Sequence, residues 1–399
     1  MRDMNFTWDP GGPENSKFKY LGIYFSTNVQ NIVDLNFNNK LQEIEKTFRI
    51  WNKRNLTPFG KITVIKTLAL SKLTYLFTNL PDPDKDFLKH LEKMLFKFLW
   101  NSNHNRIGKK HVCMNKEHGG LDMVDVYDFV AKMKLGWMKR LICNENFNLI
   151  TTSMYPSLLH VNLKGNEYLT NCIRLLKNPF WSDVLRHSKH FLDKCKPNDF
   201  QQFVCERIFC NKNINIDKQP ICFRSWIENK VVQIHQILKN DNQNVQFLSF
   251  QEFIIKYLNV HTNFLQYQSV VRLITIYMRK MNFDFKNYFD VKEPIGWQII
   301  QTGSKQVIKE KFEIQPQEHT SVTKWNIKFQ DLNWNNIYYK CLKTSNDTKL
   351  KWFQLRLLYR ILPTYRYLKL MNIKDDDTCK FCNEQRETIE HLFWDCRII

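Results

Sequence analysis

"KDFLKHLEKMLFKFLW", residues 85–100, carries its apolar residues Leu88, Leu91, Leu95 and Phe98 three and four positions apart. That spacing predicts an amphipathic helix with one buried stripe, opening just after "PDPD". Lys85, Lys89, Lys93 and Lys97 recur at every fourth residue of the same segment. A row of this kind is ordinarily a solvated helix face. Here Glu92 is nearly its only close counter-charge, and the self-repulsion of the row favours a phosphate partner.

Working outward, the preceding residues predict two more helices. One runs from about Leu35 to Leu56 and stops at "TPFG", where Pro58 and Gly60 punctuate the chain. The next runs from Lys61 to about Asn79, with Ile62, Ile65, Ala69, Leu73 and Leu76 as its apolar stripe. Lys61 and Lys72 lie eleven residues apart, about three turns, and so on one side of that helix, with no acid in it to oppose them. Residues 40–118 hold 16 lysines and arginines against 7 acids, nearly half of the whole chain's net charge of +20. Arg106, Lys109 and Lys110 extend the basic run beyond the third helix. A surplus of this size and placement points to a polyanion, nucleic acid first.

Residues 143–319 show helical rather than strand periodicity, with candidates at 168–190, 221–239, 248–259 and 264–282, and a polar linker near 300–320. Cys195, Cys205, Cys210 and Cys222 are spaced like no metal knuckle and have no His among them, so buried free thiols are expected. His104, His111, Cys113 and His118 sit among Lys and Arg, whose charge opposes a cation. A metal site has a better candidate at the other end of the chain. "CKFCNEQRETIEHLFWDC", residues 379–396, sets out Cys379-x2-Cys382-x8-His391-x4-Cys396. Two thiols on a tight turn, then a His on a short helix with a Cys just past its end, suit tetrahedral zinc. Four such ligands leave no open position, so the expected role is a folding staple. The neighbouring acids Asp375, Asp376 and Asp377 read as a solvated loop leading into the zinc turn.

The 11 cysteines are an odd number, scattered along the chain, and "MRDMNFTWDPGG" has no apolar signal core, so reduced thiols inside the cell are expected. No stretch approaches the roughly 18 apolar residues of a membrane helix.

Several segments taken in order resemble a known family. "FKYLGIYF" (18–25), "WNKRNLTPFGKITVIKTLALSKLTYLFTNLP" (51–81), "LEKMLFKFLWN" (91–101), "RIGKKH" (106–111) and "GGLDMVDVYDFVAKMKLGWMKRL" (119–141) resemble the region after the palm in LINE-type, non-LTR retrotransposon reverse transcriptases. "WFQLRLLYRILPT" followed by the Cys/His segment is similar to the zinc-binding end of those polyproteins. The resemblance implies that Lys19, Tyr20, Leu21 and Gly22 form a primer-grip-like hairpin. It also implies that the helices of residues 35–101 form a thumb closing on template–primer, and that Cys379, Cys382, His391 and Cys396 form the terminal CCHC element. It implies RNA and DNA as partners, a ribonucleoprotein life in nucleus and cytoplasm, and structural zinc as the only cofactor.

The family's catalytic carboxylates lie on a palm hairpin upstream of "YLG", and only about 17 residues precede that motif here. Polymerisation needs such carboxylates to hold two metal ions. The chain is therefore expected to be a non-catalytic piece of a transposable element, without palm or endonuclease, that binds nucleic acid. Alternatives are a subunit completing a polymerase whose palm is on another chain, or a host-adopted zinc-containing interaction scaffold. The expected fold is mainly α. It comprises a short hairpin remnant (1–34), a basic thumb-like bundle (35–142), a helical connector (143–319) and a helical segment with a small zinc-stapled module (320–399).

Overall fold

The computed structural model describes residues 17–26, 29–102, 106–159, 161–241, 244–288, 291–303, 305–312, 319–330 and 332–399. The chain divides into two compact units, the first of residues 1–76, 83–126 and 313–399, the second of residues 77–82 and 127–312. Helices dominate both. Among the described residues, β-structure is confined to three two-stranded antiparallel ladders.

The first unit opens with β1 (Lys17–Tyr20) and β2 (Ile23–Ser26), paired with Tyr20 opposite Ile23. Leu21 and Gly22 both have positive φ, 46° and 85°, as a two-residue type I′ turn requires. A residue without Cβ meets that demand at Gly22 without strain. Helix α1 (Val29–Asn52) then grips the hairpin through buried Asn36. Its Oδ1 accepts from the Tyr24 amide at 2.9 Å and its Nδ2 donates to the Tyr24 carbonyl at 2.8 Å. The outer edge of β2 is thereby satisfied where it would otherwise be open.

The helix expected over 61–79 is in fact three pieces. Helix α2 (Pro58–Val64) starts with Pro at its first position, a π-turn spans Ile65–Ala69, and α3 (Ser71–Asn79) follows. The Leu70 amide donates to the Ile65 carbonyl five residues back, at 2.9 Å. Each inserted residue rotates the following helix by ~100°, so the three-turn count that aligned Lys61 with Lys72 fails.

Helix α4 (Lys85–Trp100) has the bounds its periodicity predicts. Asp84 caps it, Oδ1 accepting from the Phe87 amide at 2.6 Å, and Asn101 ends it in the left-handed region at φ 49°. Leu88, Leu91, Leu95 and Phe98 are buried as expected. Each contributes about 1.5–3 kcal/mol relative to an exposed position. Phe98 stacks on Phe48 of α1 with centroids 4.1 Å apart, which ties the two helices together. After the short α5 (Lys109–Cys113) the chain passes Gly120, where a Cβ would lie 1.9 Å from the Met114 carbonyl oxygen. Only glycine fits that crossing.

The second unit runs through α6 (Val126–Cys143, its first residue in the first unit), α7 (Glu145–Met154), α8 (Asn166–Leu175), α9 (Pro179–Lys194) and α10 (Phe200–Phe203). The ladder of β3 (Asn215–Ile216) and β4 (Gln219–Pro220) precedes α11 (Arg224–Glu228). The ladder of β5 (Leu238–Asp241) and β6 (Asn244–Phe247) precedes α12 (Phe250–Lys256), α13 (Phe264–Lys280), α14 (Ile295–Thr302) and α15 (Lys305–Phe312). The helix expected at 168–190 is broken before Pro179, whose ring begins α9 under an Asn178 cap. The one expected at 221–239 is only α11, followed by a 3₁₀ turn and β5. Much of the expected linker near 300–320 is helical, because Trp297, Ile299, Ile300 and Phe312 of α14 and α15 have a core to join.

Lys134 on α6 is fully buried in this unit. Its Nζ donates to the Leu80 carbonyl, lies 3.5 Å from Asp82 and sits over the Phe180 ring at 4.7 Å. Asp82 also bonds His187 Nε2 at 2.6 Å.

The chain then returns to the first unit as α16 (Thr320–Lys328), α17 (Trp334–Lys343), α18 (Thr348–Leu358) and α19 (Tyr365–Leu370). There the Tyr359 hydroxyl donates to the Gly119 carbonyl, and Trp352 of α18 packs 6.1 Å from Trp100 of α4.

Candidate metal centre and nucleic-acid interface

Three local devices build the Cys/His cluster. The first is a knuckle: the Cys379 amide donates to Gln385 O at 2.7 Å, the Asn383 amide to Cys379 O at 2.9 Å, and Asn383 turns the chain at φ 55°. The backbone N–H groups of Glu384 and Gln385 then point at Cys382, and they hold its thiol down to about 6. The second is a π-turn over His391–Asp395, closed by the Cys396 amide donating to His391 O at 2.7 Å. An x4 spacing and a five-residue turn fit each other, since the i to i+5 bond folds Cys396 back beside His391. The third is Glu387, buried, whose carboxylate accepts from the Tyr365 amide at 2.9 Å and the Lys380 amide at 3.4 Å. It fastens the knuckle to the start of α19.

The donor atoms of Cys379, Cys382, His391 and Cys396 all lie within 4.8 Å of one another, and Cys382 Sγ is 3.3 Å from His391 Nε2. Around a tetrahedral zinc with bonds of about 2.3 Å to sulfur and 2.0–2.1 Å to nitrogen, such atoms would be about 3.5–3.8 Å apart. Three thiolates and an imidazole at this separation fit the ion. Cys379 and His391 are buried, and burial pushes the Cys379 thiol up, a cost that a bound cation would reverse. No other group of three metal-binding side chains converges among the described residues. His111 instead packs edge-on to His319, and His118 bonds Asn335, while His104 lies outside the described residues.

Residues 319–399 match the family model for zinc-binding in reverse transcriptase. The four ligand residues fall inside that match, which therefore supports a reverse-transcriptase-related protein with a metal-binding tail. The match also takes in α16, whose Trp325 forms a small apolar cluster with Leu362 and Ile389. Asp377, expected as a solvated loop residue, pairs with Lys369 at 2.9 Å and Arg386 at 3.5 Å and so braces the same hairpin.

The basic residues singled out in the sequence divide by environment. Lys85, Lys89, Lys93 and Lys97 are all exposed along α4, sweeping roughly 120° of its surface over three steps of four residues. Lys89 meets Asp86 at 3.1 Å, whereas Lys85, Lys93 and Lys97 have no ion pair among the described residues. Glu92 does not neutralise the row, because its carboxylate bonds Lys109. Burial alone would lower Lys109, and the Glu92 contact outweighs it and raises the lysine above its ordinary value. Lys109 is thereby occupied, while Arg106 and Lys110 remain exposed. Lys19 and Tyr20 are exposed on the hairpin, with Lys19 over the Tyr24 ring at 5.1 Å, and a Cβ on Gly22 would meet open space.

Two lysines depart from the expected row. Lys61 is 5% exposed, donating to Phe98 O at 2.9 Å and Asn101 Oδ1 at 2.6 Å. Lys72 leans on α1, bonding Thr47 Oγ1 at 3.0 Å with Glu43 at 3.9 Å. Lys61 is covered by the end of α4 and Lys72 is half-buried against α1, so neither extends the exposed α4 row. Among the cysteines set aside as buried thiols, Cys195, Cys205 and Cys210 are buried and Cys222 is exposed. Arg356 and Lys349 carry no signal in the sequence beyond their helical spacing. Both lie with Lys61 and Arg106 around one cleft of the first unit.

Proposed function

We propose that this chain binds nucleic acid as a relative of non-LTR retrotransposon reverse transcriptases, holding template–primer duplex along α4 and using its tail as a zinc-stapled module. The observation that carries the reading is the row of Lys85, Lys93 and Lys97, exposed and without carboxylate partners among the described residues, while Asp86 is taken by Lys89 and Glu92 is turned to Lys109. Such a row is repulsive alone and becomes favourable against a line of phosphates, which release their counterions on contact. In this reading zinc is structural, because four protein ligands leave no position for a substrate. The partners are RNA and DNA, and a palm on another chain would supply any polymerisation.

The test is a fluorescence-anisotropy titration of primed RNA–DNA duplex across salt, for the wild type and the Lys85→Ala, Lys89→Ala, Lys93→Ala triple variant. Each removed phosphate contact should flatten the log–log salt slope by about one, with little change in sequence preference. Equal affinity and slope in the triple variant would reduce the row to a solvated face and move the interaction-scaffold reading ahead. On primed RNA with magnesium or manganese, the isolated chain should incorporate no nucleotide.

A further inference from the structure

A cleft of about 500 Å³ in the first unit is walled by the start of α2, the end of α4 and one face of α18. Four cations line it, Lys61, Arg106, Lys349 and Arg356, and among the described residues no carboxylate does. The α18 contribution follows from spacing: Lys349, Trp352 and Arg356 lie three and four residues apart and so share a face. None of the four cations has an ion-pair partner among the described residues. Lys61 and Arg356 are both held below their ordinary values, burial being the first cause and the nearby Arg106 guanidinium the second.

Hydrogen-bond donors are left over as well. The indole Nε1 of Trp100, a residue only 3% exposed, and the Nε of Arg356 are buried without a partner among the described residues. The Thr57 hydroxyl at the same wall is in the same condition. Buried unpaired donors and crowded cations are each costly, and one tetrahedral oxyanion would relieve both at once. Lys61 supplies the contrast, since two of its three donors are already engaged by Phe98 O and Asn101.

We propose that this cleft binds a single phosphate group, that of a nucleic-acid strand, held chiefly by Arg106, Arg356 and Lys349. Guanidinium groups match phosphate oxygens in pairs, and the ammonium of Lys349 adds a point charge. The volume exceeds a bare phosphate and leaves room for an attached nucleoside against the Trp352 wall. The strand as the source of the phosphate rests on the function proposed above; the phosphate chemistry of the cleft does not.

Arg106→Gln, Lys349→Gln and the double variant keep the test clear of misfolding, because both side chains are exposed. The full zinc-loaded chain is titrated with primed duplex by anisotropy across salt, and with inorganic pyrophosphate by calorimetry. The double variant should lose about 10-fold or more in duplex affinity at about 150 mM salt. Its log–log slope should flatten by about one and not two, because both residues hold the same phosphate. Flattening by two would mean separate phosphates and would overturn the single-group site. Unchanged duplex binding in the double variant, with binding lost in the α4 triple variant, would overturn the cleft and leave the proposed function standing. Pyrophosphate binding that the double variant loses, in a chain that takes up no duplex, would uphold the phosphate site and overturn the strand as its source. Failure of the wild type to bind either ligand would overturn the inference entirely.

Discussion

Removing zinc should unfold the terminal module and leave the rest of the first unit intact. The segment from Asp377 to Cys396 is about 20 residues, and ordering it costs roughly 1–2 kcal/mol per residue in backbone entropy, some 20–40 kcal/mol. Against this stands a small apolar cluster whose buried members are Trp325, Leu362 and Ile389. At about 1.5–3 kcal/mol each they fall well short. The two amide bonds to Glu387 and the Arg360–Glu390 ion pair add only a few kcal/mol more. Structural zinc supplies about 10–16 kcal/mol, more than any of these contacts, so its loss should leave the segment unfolded. Hydrogen exchange on the full chain, with metal content measured in parallel, reads this directly. In chelator, or in Cys382→Ser, the amides of Cys379, Glu387 and Cys396 should lose protection while those of α4 keep theirs. A zinc-free chain in which these three amides stay protected would refute the reasoning.

In the second unit, Lys134→Met should cost about 1–3 kcal/mol in urea unfolding, since it leaves the Leu80 carbonyl without its partner and takes one of the two cations from Asp82; a loss under about 0.5 kcal/mol would show the Lys134 contacts to be dispensable. Asp82 is held below its ordinary 3.8, its burial outweighed by His187 and Lys134. Its contribution is therefore complete above that value and lost as pH falls through the lower folded one, so Asp82→Asn should weaken the acid dependence of unfolding below about pH 4. Asp183, raised by burial and by Asp82, takes up its proton earlier in the same titration and opposes the trend. Asp84→Ala removes the cap that accepts from the Phe87 amide and should cost about 0.5–2 kcal/mol, with exchange rising first in the opening turn of α4. Cys222, exposed and lowered to about 6 by its bond from Cys210, should be alkylated well before the buried Cys195 and Cys205.

The sequence determined what depends on neighbours along the chain. The period of Leu88, Leu91, Leu95 and Phe98 sets α4, Asp84 and Asn101 end it, and the lysine row follows from the same helical repeat. The Cys/His cluster was equally legible, because a CxxC knuckle and an x4 spacing can converge within one short segment. Tertiary structure decided which like-looking side chains stay in solvent. Lys61 and Lys72 read the same as the α4 lysines, yet packing of α2 on the end of α4 buries the first, the helix after the π-turn lays the second on α1, and no propensity for single residues reports either contact. Glu92 looked like a counter-charge within its own helix and found Lys109 on another. Arg356 and Lys349 meet Arg106 across more than two hundred residues of sequence, because the chain's end returns to the unit of α4. Helix periods and turns are set by interactions a few residues long, whereas such meetings are set by the packing of whole elements, to which a lysine or arginine in the sequence carries no address.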